Sequence, residues 1–177
     1  MSSSSVPRRG VPAESVPEQL IYNVAAGALI LICRRQHVGE VYVRSLGDAA
    51  YAQVMPGGHG SEVSVDGVVS AASAPVVFCQ VVRYESFEKG FLAHHVGIFA
   101  INLLDGSASK YVATDLDVSM VPTRLLGVSA EGDILYCTVR IRQPIESRSR
   151  TGLHALVAVE VSTGTPTVIE HLDQVFF

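Results

Sequence analysis

The sequence contains no tryptophan, only three cysteines and few charged residues. Charged residues make up 17% of the 177 positions, and 13 Lys and Arg stand against 17 Asp and Glu. The chain therefore lacks the positive excess with which proteins bind nucleic-acid phosphates, and we expect no nucleic-acid partner. Three widely spaced cysteines make neither a zinc motif nor an even disulfide framework. Because 48% of the residues are hydrophobic, the chain can form a globular core and is not disordered as a whole.

The sequence also lacks an apolar run long enough for a membrane-spanning helix. The longest run, from Leu20 to Cys33, has 14 residues and includes Asn23, whereas a spanning helix needs about 20 residues. Arg8 and Arg9 are separated from this run by prolines and glutamates, which does not fit a secretory signal. We therefore expect no membrane partner and a cytoplasmic protein.

The first 18 residues contain Ser, Pro, Gly and charged residues without periodic apolar positions. This composition predicts a disordered tail at 1–18 and an ordered domain at 19–177. From Gln19 onward, short runs of Val, Ile, Leu, Tyr and Phe alternate with Gly, Pro, Asp, Ser and Asn. This pattern is typical of strands and turns, and no long helical period is present. The sequence therefore predicts an all-β fold.

Three segments of the sequence align with one another without a gap: Leu20 to Arg35, Asp66 to Val81 and Arg124 to Val139. Each contains an apolar strand, a turn of small residues, and then three apolar residues followed by a cysteine. The cysteines share one repeat position, with spacings of 46 and 58 residues, and they are Cys33, Cys79 and Cys137. We expect each to be a small buried hydrophobic residue in the second strand of its unit.

Two further strand-like segments follow each aligned segment. The sequence thus predicts three units of four strands, a to d, at about 19–56, 66–117 and 123–172. Strands b and c carry continuous apolar runs such as Ile30 to Cys33, which indicates strands that are covered on both faces.

The turns of these units resemble those of the TolB-like and WD-repeat-like β-propeller superfamily. The matching residues are the a–b turn from Ser129 to Asp133 and the c–d turns Asp105-Gly106 and Thr163-Gly164. The resemblance implies three four-stranded antiparallel blades, which form a partial or a self-completing propeller. A β-sandwich is the alternative. Because closed propellers have about 4 to 8 blades, three blades predict a protein partner or self-association, including a homodimer that completes a ring.

The b–c and d–a connections of an antiparallel meander lie at one end of the sheet. The b–c connections at 83–95 and 141–154 are long, and long loops on a rigid scaffold often bind ligands. This loop end is therefore the candidate binding site. The candidate binding residues are Arg83, Tyr84, Phe87, Phe91, His94, His95, Arg142, Arg148, Arg150 and His154.

The sequence shows no Gly-x-Ser-x-Gly elbow and no closely spaced histidine motif for a metal. We therefore expect no catalytic residue, no cofactor and no metal, and a noncatalytic interaction scaffold that binds a protein or another ligand through its b–c and d–a loops. Two alternatives remain open. The chain is a fragment or subunit of a larger propeller-containing enzyme or peptidase, or it is a metal-dependent propeller enzyme that uses loop histidines.

Overall fold

Twelve strands form three four-stranded antiparallel sheets, each in the order of the chain. The structure is a computed structural model, and it describes residues 10–35, 38–54, 63–87, 90–105, 109–113, 120–141 and 153–172. The first sheet contains β1 (Val16–Asn23), β2 (Ala28–Arg35), β3 (Val38–Ser45) and β4 (Ala52–Val54). The second contains β5 (Val63–Ser70), β6 (Val76–Phe87), β7 (Gly90–Asn102) and β8 (Ser109–Ala113). The third contains β9 (Met120–Val128), β10 (Ile134–Ile141), β11 (Leu153–Glu160) and β12 (Pro166–Leu172).

The predicted fold class is confirmed, because the three repeat units are three separate four-stranded antiparallel sheets and not the two sheets of a sandwich. The boundaries differ in two places. The first strand begins at Val16, three residues before Gln19, where the sequence pattern predicted the ordered domain to start. The b–c connection of the second unit is a paired hairpin, since β6 and β7 remain paired, across one register shift after Val81, as far as the Phe87 and Gly90 pair. Within the described residues, no helix is long and apolar enough to cross a membrane.

The second sheet is buried on both of its faces. Along β6, Val77, Cys79 and Val81 belong to the apolar cluster that this sheet shares with the first sheet. Phe78 lies between them in sequence and belongs to the cluster shared with the third sheet. Because side chains alternate between the two faces of a strand, a strand that is covered on both sides must be apolar at successive positions. This is the physical reason for the continuous apolar runs in the sequence.

The three cysteines are free, and none is accessible to solvent. Each lies in the second strand of its sheet, as the repeat alignment predicts. Burial raises the pKa of Cys79 and of Cys137 to about 12. The pKa of Cys33 is also raised, mainly by burial and then by the negative charges of Glu40 and Glu18. These thiols are therefore protonated and pack as hydrophobic residues.

The a–b turns of successive sheets are joined by hydrogen bonds. Asn23 ends β1, and its Nδ2 lies 2.9 Å from Ser70 Oγ, 2.9 Å from the Ala71 carbonyl oxygen and 3.0 Å from the Ala74 carbonyl oxygen. Its Oδ1 accepts a hydrogen bond from the N–H of Ala26 at 2.7 Å. One buried amide thus holds the first turn against the second.

The second and third sheets are joined by two further hydrogen bonds. The N–H of Ser73 donates to the carbonyl of Ala130 at 2.7 Å, between the a–b turns of the two sheets. The N–H of Leu125 in β9 donates to the buried Gln80 Oε1 at 3.0 Å. These two hydrogen bonds fix the stacking of the sheets more specifically than apolar packing alone.

The seam between β3 and β5 requires a glycine at position 39. The N–H of Gly39 donates to Ser64 Oγ at 2.7 Å, and a Cβ atom at this position would overlap the carbonyl oxygen of Val65. Because that oxygen belongs to the backbone, the two strands would have to move apart. We expect Gly39→Ala to lower the free energy of unfolding by about 1–3 kcal/mol, measured by urea denaturation.

Gly127→Ala is the matched control for this substitution. Gly127 also lies in a strand, but a Cβ there has nothing within 4 Å. The control should be neutral or slightly stabilising, because alanine restricts the unfolded chain more than glycine does. Equal stability of the two variants would show that the close approach at Gly39 does not exist in solution.

Candidate functional site

Six of the ten predicted binding residues lie on one hairpin. Arg83, Tyr84 and Phe87 lie in β6, and Phe91, His94 and His95 lie in β7. Arg83 pairs with His94, Val82 pairs with His95, and the Arg83 side chain is exposed. The hairpin therefore projects these residues from the loop end of the second sheet, although they were predicted as part of a loop.

Of the four remaining predicted residues, the structure describes only His154. His154 is the second residue of β11, where it is half-buried and pairs with Arg140 and with Leu172. It lies at the same loop end as the Arg83 hairpin, because the b–c and d–a connections of all three sheets share that end. Arg142, Arg148 and Arg150 lie outside the described residues.

A polar cluster at the loop end of the first sheet was not predicted. Glu40 is only 7% exposed, and its carboxylate accepts three hydrogen bonds. The Tyr42 hydroxyl donates to Oε2 at 2.8 Å, and Arg35 Nη2 and Gln53 Nε2 donate to Oε1 at 3.0 and 3.4 Å. Arg35 also lies 3.5 Å from Glu14, so that the segment before β1 is attached to this cluster.

The electrostatics of the cluster follow from this arrangement. Burial, and then the hydrogen bond to the negative charge of Glu40, raise the pKa of Tyr42 well above its usual range. The same carboxylate raises the pKa of Arg35, with a smaller contribution from Glu14. Tyr42 is thus held neutral and Arg35 positive. The charged groups of the cluster are paired with one another, which fits a structural role better than a catalytic one.

A cavity of about 60 Å³ lies beside this cluster, between the first and second sheets. Arg35, Gly39, Glu40 and Ser64 line it, together with valines of β3 to β6. Sites for small-molecule ligands usually enclose about 300–1,000 Å³. This cavity has room for water but not for an organic substrate.

The described residues contain no group of three or more His, Cys, Asp or Glu side chains that could hold a metal ion. Of the six histidines, His37 and His59 lie outside the described residues. The described part of the chain gives no donor set for a metal centre.

Comparison with known proteins identifies the architecture. No protein-family model and no curated protein matches the sequence. Among solved structures, the oligogalacturonate lyase of Vibrio parahaemolyticus matches over 91% of this chain and 42% of its own, with a TM-score of 0.59 and 12% identity. An oligogalacturonate lyase in complex with manganese matches over 97% of this chain and 50% of its own, with a TM-score of 0.58 and 12% identity.

The three sheets are propeller blades. The chain spans half or less of the length of the two lyases that share this arrangement. At 12% identity the likeness shows the fold alone. One expectation from the sequence, the absence of enzymatic function, is corrected by these neighbours, because both of the matching proteins are lyases.

The sequence offered one signal for the Glu40 cluster. Alignment of the third strands places Glu40 at the position of Gly97 and Ala155, and Tyr42 at the position of Phe99 and Val157. The first blade thus carries polar groups where the other two blades carry apolar or small residues. The cluster can thus be recognised in the sequence by this departure from the repeat, but not by any local motif.

Proposed function

We propose that this chain is a three-blade part of a propeller-containing enzyme, and that its loop end binds the substrate. The observation that supports this best is the match of nearly the whole chain to half or less of two enzymes with the same arrangement of blades. The loop end is favoured because the long β6–β7 hairpin projects there and carries the exposed Arg83.

The substrate class that fits this end is an acidic oligosaccharide. The matching structures are named as lyases of oligogalacturonate, a carboxylated sugar chain. A guanidinium group binds a carboxylate through two parallel hydrogen bonds, and Arg83 presents such a group to solvent. The sequence between β10 and β11 contains three further arginines and one glutamate, which are Arg142, Arg148, Arg150 and Glu146. This excess of positive charge suits a ligand with repeated carboxylates.

The test uses the purified full chain with oligogalacturonate, with and without manganese. We expect binding by calorimetry, and elimination is followed by the ultraviolet absorbance of the double bond that it forms. Arg83→Gln should weaken binding about tenfold, which corresponds to a lost hydrogen bond between charged groups, whereas Arg83→Lys should retain part of the affinity. Binding without elimination would place the catalytic groups outside these three blades. An absence of binding would contradict the proposal.

A further inference from the structure

The first and third blades each have one sheet face with no neighbouring blade. We call the first free face the one formed by Leu20 and Tyr22 of β1 and Leu29 and Leu31 of β2, which the strand register places on one side. We call the second free face the one formed by Ile134 and Tyr136 of β10 and Leu156 and Ala158 of β11. These residues are apolar and incompletely buried: Leu20 is 59% exposed, Tyr22 is 49% exposed, and the other six are half-buried. On the side of the first free face the register also places Tyr42, opposite Leu31, and Tyr42 is already fully buried within one chain.

The repeat positions of the second free face are buried in the other blades. Tyr136 occupies the position of Ile32 and Phe78, which are 7% and 1% exposed. Leu156 occupies the position of Val41 and Ile98, which are 1% and 0% exposed. In the first and second blades these positions are covered by the following blade. The second free face is therefore built like a contact surface between blades.

The first free face has the complementary character. Leu31 occupies the position of Val77 and Leu135, each of which is fully buried against the preceding blade. Leu31 itself is only half-buried. Each of the two internal contacts joins two kinds of face, and the described blades leave one face of each kind free. The first free face of one copy therefore matches the second free face of another copy.

Charge favours the same pairing. Arg44 pairs with Leu29 at the turn end of the first free face, and its Nε has no hydrogen-bond partner among the described residues. Glu160 pairs with Ile134 at the turn end of the second free face. A buried guanidinium N–H needs an acceptor, and a carboxylate is the strongest one that a protein offers. Because both groups lie at the turn ends of their faces, a contact between the two faces would place the cation near the anion.

We propose that two copies of this chain associate head to tail, with the first free face of each copy packed on the second free face of the other. Two three-blade chains then form a ring of six blades, within the range of about 4 to 8 found in closed propellers. The inference rests on the proposed function, since it names the partner that completes the same propeller.

The experiment is sedimentation equilibrium of the full chain, whose mass is 18.9 kDa. We expect twice this mass for the wild type and the mass of one chain for Leu31→Glu and for Tyr136→Glu, since each substitution places a charge in both contacts of the ring. Leu104→Glu is the control, because Leu104 is 69% exposed in a turn of the middle blade. It should remain a dimer. Circular dichroism checks that each variant is folded.

Mixing two variants separates head-to-tail association from other arrangements. A one-to-one mixture of Leu31→Glu and Tyr136→Lys can form one contact from two wild-type faces and one contact in which glutamate meets lysine. We expect this mixture to regain the dimer mass, although each variant alone is a monomer. A dimer that tolerates Leu31→Glu but not Tyr136→Glu would show two second free faces packed together, and would overturn the proposal.

Hydrogen exchange of the wild type provides a readout that does not depend on a folded variant. We expect the amides of β2 and β10 to gain protection as the protein concentration rises, and those of β6 to stay unchanged. A wild type that is monomeric at every concentration overturns the ring. That result leaves the enzymatic proposal intact, because binding of oligogalacturonate is measured separately.

Discussion

Replacing Asn23 with aspartate is expected to destabilise the folded protein by about 3–5 kcal/mol at pH 7, the usual cost of an uncompensated buried charge. Asn23 is only 1% exposed, and its amide nitrogen faces the Ser70 hydroxyl and the carbonyl oxygens of Ala71 and Ala74. Aspartate has the same shape, but it turns this nitrogen into a charged oxygen that faces at least two other oxygen acceptors. The contact between the first two a–b turns then becomes repulsive.

The loss of stability should depend on pH. Burial and neighbouring oxygens raise the folded-state pKa of such an aspartate above its value of about 3.9 in the unfolded chain. Below the unfolded pKa the carboxyl group is protonated in both states and can still donate one hydrogen bond. As the pH rises through the raised folded-state pKa, the unfolded state is favoured increasingly. Urea denaturation at pH 3.5 and at pH 7 should therefore show a smaller difference from the wild type at the lower pH.

Asn102→Asp is the matched control for Asn23→Asp. Asn102 is exposed, and its Oδ1 accepts a hydrogen bond from the N–H of Leu104 at 2.9 Å. A carboxylate retains this acceptor and remains in contact with water. The control should change stability by less than about 0.5 kcal/mol, as is usual at surface positions. If both aspartate variants behaved alike, Asn23 would not hold the two turns together.

The repeat alignment predicted the architecture because stacked sheets impose the same demand on every unit. A strand between two neighbouring sheets must be apolar on both faces. Cys33, Cys79 and Cys137 share one repeat position, and all three are buried. Burial of these positions follows from the sequence without knowledge of the packing. The same logic predicts which end of each sheet carries the b–c connections, since antiparallel order alone decides it.

The contacts that orient the sheets could not be predicted in this way. Asn23 aligns with Val69 and Gly127, so its role in the turn contact has no counterpart in the other units. Its partners lie 47 to 51 positions away in the chain, and no local pattern relates them. Glu40 likewise depends on Gln53 and Arg35 at distances that only the folded sheet defines.

The β6–β7 hairpin shows a second reason why the sequence did not predict every element. Its outer part extends beyond the two apolar clusters, where the pairing of Tyr84 with Ala93 and of Ser86 with Phe91 continues the ladder. Backbone hydrogen bonds between the two strands hold these residues, and the formation of this ladder does not require a regular alternation of polar and apolar residues in the sequence. Polar residues such as Glu85 and Ser86 therefore resembled a loop in the sequence, although they belong to a strand.

Truncation of Leu135 to alanine is expected to lower the free energy of unfolding by about 2–5 kcal/mol, the usual cost of removing a buried leucine side chain. Leu135 is fully buried in β10, opposite Val128 and Val159, in the cluster between the second and third blades. Leu104→Ala is the control, because Leu104 is 69% exposed and its truncation leaves no cavity.

Leu31→Ala provides a comparison at the same repeat position as Leu135. Leu31 is only half-buried in one chain, so at low protein concentration its truncation should cost clearly less than that of Leu135. In the head-to-tail dimer the second copy covers Leu31, and the cost should rise towards that of Leu135 as concentration increases. Urea denaturation at two protein concentrations measures both effects. A loss of less than about 1 kcal/mol for Leu135→Ala would contradict its place in the core, and an unchanged cost at Leu31 would contradict the dimer.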